Sequence, residues 1–320
     1  MLDKWRGMIC IGFISRFVVH FTLPFVLHLK ELHLDYFCFE SVECIGKPIS
    51  VDFEKYENNI AYAIGHSLAD YRKCVKNGQQ EMANCFGVSI GQYRKYEAGI
   101  DVPKMHSAAR WSATTGAPLP LLFKYTEYAK FFPPEELIYR PYFNLIAKSN
   151  DKNFYSLLSL LSGKPEWSNC VAANDDALNF QQALDDVLTN YYFRVMKNFE
   201  AIRHFHNLSR GEMAHLLGVS SATYAKYVSQ AEKISISLLL YARAHVALSI
   251  DTNWAKTGST FYSLINKRRK DRTSVIEGLL QKLDKRNADN FQSMLSLFGE
   301  QHERIQQLQD ALSNVPERIN

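Results

Sequence analysis

One stretch of the sequence occurs twice: Glu81–Tyr96 reads EMANCFGVSIGQYRKY, and Glu212–Tyr227 reads EMAHLLGVSSATYAKY. Nine of these sixteen positions are identical at a constant shift of 131 residues. A second pair of segments, Asn153–Leu160 and Asn290–Leu297, agrees at six of eight positions and follows in the same order. Similarity that returns at a fixed distance indicates a repeated structural unit. The sequence therefore predicts two diverged copies of a unit of roughly 130 residues.

The residues around the repeated stretch have the spacing of amphipathic helices, with apolar positions three or four residues apart. Further helices are predicted after the stretch, over Ser107–Thr115 and over Leu238–Leu248. No segment alternates as a half-buried strand does, so the predicted fold class is all-α. The apolar positions before the stretch are Ile64, Leu68, Tyr71 and Val75 in the first copy and Phe199, Ile202 and Phe205 in the second.

The repeated stretch itself divides into two short helices joined by a tight turn. Gln79–Phe86 reads as the first helix, and Gly87 suits the left-handed residue that ends it. Ser89 is a good N-cap for the next helix, since its hydroxyl can accept a free backbone N–H. Gly218 and Ser220 take the same places in the second copy. Two short helices around such a turn have helix-turn-helix geometry.

The sequence from Gln79 to Gly99, QQEMANCFGVSIGQYRKYEAG, resembles the lambda-repressor/Cro-like (XRE) helix-turn-helix family. The family pattern has Gln at the start of the second helix, Ala in its middle, Gly-Val-Ser at the turn and Tyr-Glu-x-Gly at the end of the third helix. The first copy matches every element. The second copy matches over Glu212–Tyr227, but it has Arg210 in place of Gln, and Val228 and Gln230 in place of Glu and Gly. The resemblance covers about 65 residues in each copy.

The resemblance implies a structural ion pair in the first copy. In the family, the glutamate near the end of the third helix pairs with an arginine of the first helix, and by position these are Glu97 and Arg72. The second copy keeps the arginine as Arg203 but has a valine at the position of the glutamate. A half-buried arginine without a partner is unfavourable. Arg203 is therefore expected either to turn to solvent or to pair with a nearby acid, Glu200 or Glu232.

The resemblance also implies contacts with DNA, because the third helix of this motif lies in the major groove with its N-terminal residues at the base edges. Gln79 and Arg210, at the starts of the second helices, are expected to hold phosphates. Tyr93 and Tyr224 are expected to point into the core. The first copy has more side chains able to read bases, and the alternative is that they form only a solvated helix face. The positions expected to face DNA are Ser89, Ile90, Gly91, Gln92, Arg94 and Lys95 in the first copy and Ser220, Ser221, Ala222, Thr223 and Lys226 in the second.

These observations predict a sequence-specific DNA-binding transcriptional regulator in which the first copy dominates base readout. Its expected partner is double-stranded DNA, with half-sites about one helical turn apart. The alternative function is a protein-interaction module, antitoxin-like or an adaptor, whose helix-turn-helix surfaces bind protein. The chain contains no His-Glu-x-x-His, no phosphate-binding glycine loop and no Gly-x-Ser-x-Gly elbow. We therefore expect no catalytic residues, no metal site and no cofactor.

The chain divides by pattern into five parts. Apolar stripes in the two tails pair either with each other, as an intrachain pseudo-dimer, or between chains in a homodimer. They consist of Phe154, Leu157, Leu158 and Leu161 and of Phe291, Met294, Leu295 and Phe298. The basic run KRRKDR at 267–272 is expected either to bind phosphate or to be a solvated helix start or linker. The parts are an apolar segment (1–50), helix-turn-helix domain one (51–130, unit one), a helical tail and linker (131–185, with the linker at Ser162–Asp176), helix-turn-helix domain two (186–260, unit two) and a helical C-terminal tail (261–320).

The N-terminal segment stands apart from the rest of the sequence. Residues 8–29 are apolar and long enough to cross a bilayer, but Arg16 lies in their middle. A membrane tether is therefore less favoured than a buried helix or a true start of translation near Val51. The net charge of +4 permits a polyanionic partner, and six cysteines without a Cys-x-x-Cys pair favour a reducing compartment. The predicted location is the cytoplasm.

Overall fold

The computed structural model describes residues 47–149, 151–162, 184–185, 188–230, 234–249 and 260–313. About 72% of these residues are helical and none of them lies in a strand, which confirms the all-α fold class. Residues 8–29 and all but the first residue of the predicted linker lie outside the described residues. Within them, no helix combines the length and the apolar composition that a membrane crossing requires.

Unit one consists of short helices whose positions follow the sequence prediction. Pairs of helices are joined by turns of a few residues, and three 3₁₀ turns, Leu119–Phe123, Glu127–Phe131 and Pro134–Leu137, carry the chain away from the unit. Two of these turns have a proline at their first or second position, because proline fits the first turn of a helix, where its missing N–H is not needed. The helices are α1 (Glu54–Glu57), α2 (Ile60–Cys74), α3 (Gln79–Phe86), α4 (Ile90–Glu97) and α5 (Met105–Thr115).

The remaining helices form a first tail, unit two and a second tail. The first tail contains α6 (Phe143–Lys148) and α7 (Asp151–Ser162). Unit two contains α8 (Tyr191–Phe205), α9 (Arg210–Leu216), α10 (Ser221–Ser229) and α11 (Leu239–Leu248). The second tail contains α12 (Thr260–Leu280) and α13 (Lys285–Ser313). The order of helices around the turns is thus the same in both units.

The tight turns of both units use the residues that the sequence predicted. Gly87 ends α3 at φ +65° and Gly218 follows α9 at φ +63°, a left-handed conformation that glycine adopts without strain. The hydroxyl of Ser89 accepts a hydrogen bond from the backbone N–H of Gln92 at the start of α4. Ser220 accepts one in the same way at the start of α10. Local turn chemistry therefore fixes where α4 and α10 begin.

A single apolar core extends through both units. In unit one, the rings of Phe86 and Trp111 stack with centroids 5.7 Å apart, and Tyr93 packs against Phe86. Tyr93 and Tyr224 are fully buried, which confirms that they point inward. The same continuous cluster includes Tyr241 of unit two.

The two tails share a second, smaller core. Phe154 and Leu158 of α7 are buried in one cluster with Phe291 and Leu295 of α13. The two predicted apolar stripes therefore meet within one chain. Not every stripe residue is covered: Met294 and Phe298 on α13 are exposed, and so is Leu297 between them.

The basic run at the middle of α12 departs from both of its predicted roles. Arg272 is fully buried, and its Nη1 donates to the carbonyl oxygens of Ile146 and Ser149 at 2.8 Å each. Arg269 is also buried, and its Nη1 donates to the carbonyl oxygen of Ala117 at 3.2 Å. The last carbonyl groups of a helix have no hydrogen-bond partner within the helix. The two guanidinium groups donate to carbonyl oxygens at or just beyond the ends of α6 and α5. Phosphate binding and a solvated helix start are both wrong for these two arginines.

Candidate nucleic-acid interface

One side of α4, together with its N-cap residue, faces solvent. Ser89 and Gly91 are exposed, and so are Arg94 and Lys95 one turn further on, while Ile90 is half-buried against the core. On the opposite face of the helix, Tyr93 and Tyr96 are buried in the core. A duplex can therefore approach the face that the sequence assigned to DNA, which a buried α4 would have prevented.

A close approach of two helices fixes where α4 sits. A Cβ atom built at Gly65 of α2 would lie 2.6 Å from the carbonyl oxygen of Tyr96 and 2.8 Å from that of Glu97. Real Cβ atoms do not approach backbone this closely, so only glycine permits this contact. The backbone of α2 thus supports the C-terminal end of α4.

A chain of polar contacts ties α2, α3 and α4 together. Arg72 donates from Nη2 to Glu97 Oε1 at 2.6 Å and from Nε to the same oxygen at 3.0 Å, which is the ion pair expected from the sequence. Glu97 Oε2 accepts from Gln79 Nε2 at 3.1 Å, and Gln79 Oε1 accepts from Arg94 Nε at 3.1 Å. The Glu97 carboxylate also raises the pKa of Arg72. Gln79, expected to hold a phosphate, links α3 to α4 instead, and it orients Arg94.

Gln92 has an intramolecular partner that the sequence did not indicate. Its Nε2 donates to Asp101 Oδ2 at 2.8 Å, and its side chain is half-buried. Asp101 lies in the loop after α4, where its other carboxylate oxygen accepts the backbone N–H of Val102 at 2.9 Å. The amide of Gln92 is therefore tied to this loop through one of its two N–H groups.

In unit two, Arg203 pairs with an acid on its own helix. Arg203 donates from Nε to Glu200 Oε1 at 2.8 Å and from Nη2 to Oε2 at 3.0 Å. Tyr224 donates its hydroxyl to Glu200 Oε1 at 2.7 Å. Burial raises the pKa of Glu200, but the hydrogen bonds from Arg203 and Tyr224 outweigh it, so the net shift is downward. Of the two expected acids, Glu200 is the partner; Glu232 lies outside the described residues.

The outward face of α10 is also open to solvent. Arg210 is 59% exposed, with its Nε 3.7 Å from Glu200 Oε2, so its guanidinium remains accessible at the start of α9. Thr223 is half-buried, with its hydroxyl 2.8 Å from that of Ser220. The fully accessible positions of this face are Ser220, Ser221, Ala222 and Lys226. Unit two therefore presents small side chains and one lysine where unit one presents Arg94 and Lys95.

The described part of the chain contains no group of three or more His, Cys, Asp or Glu side chains arranged to hold a metal ion. Comparisons with family models, with curated proteins and with solved structures find no match to this chain.

Proposed function

We propose that this chain is a sequence-specific DNA-binding transcriptional regulator of the XRE type, in which unit one dominates base readout. The observation that carries the proposal is the solvent-facing side of α4, on which Gly91, Arg94 and Lys95 are exposed. The Gly65 contact and the Arg72–Glu97 ion pair hold this helix rigidly against α2. A rigid helix that presents cations and small residues suits the width of the major groove.

The residues of α4 divide into two roles under this proposal. Ser89, Ile90 and Gly91 are small or apolar enough for close approach to base edges, and the Ile90 side chain can meet a thymine methyl group. Arg94 can bind guanine bidentately, at about 1–3 kcal/mol of discrimination against a wrong base. Gln79 positions Arg94 through its side-chain amide.

Unit two makes the weaker contribution to sequence readout. Arg210 is accessible for a phosphate, and Lys226 supplies a second cation on the same face. Ser221 and Ala222 at the start of α10 offer a hydroxyl and a methyl group, which discriminate less between bases than a bidentate side chain does. Unit two is therefore expected to discriminate less strongly between bases than unit one.

Genome-wide capture of bound DNA tests the proposal. The intact chain is compared with Arg94→Ala/Lys95→Ala and with the control Lys285→Ala/Arg286→Ala, which removes the same two charges from exposed positions on α13. The proposal predicts that the first variant loses the enriched sites and that the control keeps them. Equal occupancy by all three proteins contradicts the role of α4. If the intact chain enriches no DNA, the protein-interaction function takes its place.

A further inference from the structure

The two units meet through residues that the repeat itself relates. The backbone N–H of Met105 donates to the carbonyl oxygen of Ile236 at 2.9 Å, and that of Leu238 donates to Pro103 at 3.0 Å. Between these bonds, Lys104 lies opposite Ser237 in an antiparallel bridge. Met105 and Ile236 are 131 residues apart, which is the shift of the sequence repeat. Each therefore faces its own counterpart, as residues on the axis of a two-fold interface do.

The chain at the start of unit one, around α1, packs on the turn between α9 and α10 of unit two. A Cβ atom at Gly218 would lie 2.6 Å from Phe53 Cδ2, so the Phe53 ring sits directly on that turn. Glu57 accepts hydrogen bonds from Nε and Nη2 of Arg243 at 2.7 and 2.6 Å. Arg243 in turn donates to the carbonyl oxygen of Gly218 at 2.7 Å.

The segment that leads into unit two makes the reverse contact. Leu184, the counterpart of Phe53 at the 131-residue shift, is fully buried in the shared core. Its neighbour Asp185 lies 3.4 Å from Nη1 of Arg110. A Cβ atom at Gly87, the counterpart of Gly218, would lie 2.8 Å from Cδ of Arg110. Each leading segment thus docks beside the turn of the other unit, although through different residue pairs, which is the approximate reciprocity expected of two diverged copies around a two-fold axis.

From this reciprocity we infer that one chain is a covalent pseudo-dimer, with an approximate two-fold axis between Met105 and Ile236, and that it binds one duplex at two unlike half-sites. The inference rests on the proposed function and adds the class of DNA that the chain recognises. The half-sites differ because Arg94 of unit one corresponds to Ala225 of unit two, and Gln92 corresponds to Thr223. Their spacing is fixed because the units share one buried core.

Selection from random duplexes, followed by native mass spectrometry of the selected complex, tests the inference. The expected site is not a palindrome, and the complex contains one chain per duplex. Inserting about 5 base pairs between the half-sites lowers affinity roughly tenfold or more, and inserting a full turn of about 10 does not restore it, because a rigid interface cannot span the longer distance.

The other outcomes separate the two proposals. Two chains on a palindromic site, or recovery of affinity with the full-turn insertion, overturn the pseudo-dimer and leave DNA binding intact. If no duplex is selected at all, the proposed function falls, and the pseudo-dimer site falls with it.

A cross-link tests the interface without DNA. Lys104 and Ser237 form a non-hydrogen-bonded antiparallel pair, whose Cα atoms are typically about 4.5 Å apart and within disulfide range. We expect oxidised Lys104→Cys/Ser237→Cys to form this link within one chain, shown by intact mass and peptide mapping, and to keep its duplex affinity within about twofold. Lys104→Cys alone is the control. Failure to link, a linked two-chain species or loss of duplex binding by the linked monomer overturns the inference.

Discussion

Arg203 keeps its charge paired although the usual partner position holds Val228. In unit one, the partner of the equivalent arginine lies on another helix, and the ion pair joins α2 to α4. In unit two, Glu200 lies one turn back on the same helix, and Tyr224 completes the connection to α10 by donating to it. Because a half-buried arginine without an acid is unfavourable, Glu200 has become indispensable to unit two.

We predict that Glu200→Gln lowers the free energy of unfolding by about 2 kcal/mol, because it leaves Arg203 without an anionic partner. Adding Val228→Glu places an acid at the position that Glu97 has in unit one, and it should recover at least part of the loss. Urea denaturation of the two variants measures both effects. An unchanged stability of the single variant, or no recovery in the double variant, contradicts the role given to Glu200.

The same residue predicts a dependence on pH. The pKa of Glu200 is lowered in the folded protein from its ordinary value of 4.5, so its stabilising effect is complete above that value and is lost as the pH falls below it. The stability difference between the natural protein and Glu200→Gln should therefore be constant above about pH 6 and shrink as the pH falls from about 5 to about 3. Unfolding curves at several pH values check this, and a difference that stays constant or grows would be incompatible with the pairing.

Some contacts at the residue scale are accessible from the sequence and others are not. The Arg72–Glu97 pair is present where the motif implied it, because both positions belong to the motif. The bond between Gln92 and Asp101 was missed, since the path of the loop after α4 decides it and no residue pattern encodes that path. Gln79 likewise faces Glu97 and Arg94 rather than open solvent.

Among the elements, the packing of α4 on α2 depends on one glycine. Gly65→Ala should destabilise the protein by about 2 kcal/mol, because the new methyl group meets backbone atoms that cannot move aside. It should also weaken DNA binding, since α4 must shift outward. Gly278→Ala is the matched control: a Cβ there meets nothing within 4 Å, and alanine in a helix gains about 0.5–1 kcal/mol over glycine. Thermal unfolding of both variants checks the contrast, and equal melting temperatures would refute it.

The buried arginines of α12 act on the ends of other helices. Arg272→Met removes the donor to two carbonyl oxygens near the end of α6, and it should cost about 3 kcal/mol of unfolding free energy. Arg268→Ala, an exposed position in the same basic run, should change stability by about 0.5 kcal/mol or less. Urea denaturation compares the two, and similar losses would show that Arg272 does not have this role.

The turns of the two units and the helices beside them followed from the sequence because their signals are local, whereas α1 was not predicted. Glycine at the turn, serine at the N-cap and apolar residues at helical spacing each act within a few residues. The prediction for the basic run was wrong for Arg269 and Arg272 because these residues lie on a helix whose burial depends on α5 and α6, more than a hundred residues earlier in the chain. Charge patterning alone does not reveal that a guanidinium will cap another helix.

At the scale of the whole molecule, the repeat predicted two units but not the way in which they join. The apolar stripes of the two tails contact each other within one chain, which was one of the two arrangements considered for them. The crossing of each leading segment onto the other unit was not foreseen, because it rests on contacts between residues such as Glu57 and Arg243, which are 186 positions apart. As a result, the two units that carry the candidate DNA-binding faces share one apolar core.

The dependence of duplex affinity on salt tests the central claim most directly. If six or more phosphates are contacted, affinity for the selected site falls by about 10³-fold or more between 50 and 200 mM salt, and Arg210→Ala lowers the slope of log affinity against log salt by about 1. Association with duplexes that is negligible and insensitive to salt would contradict the claim that α4 and α10 bind DNA.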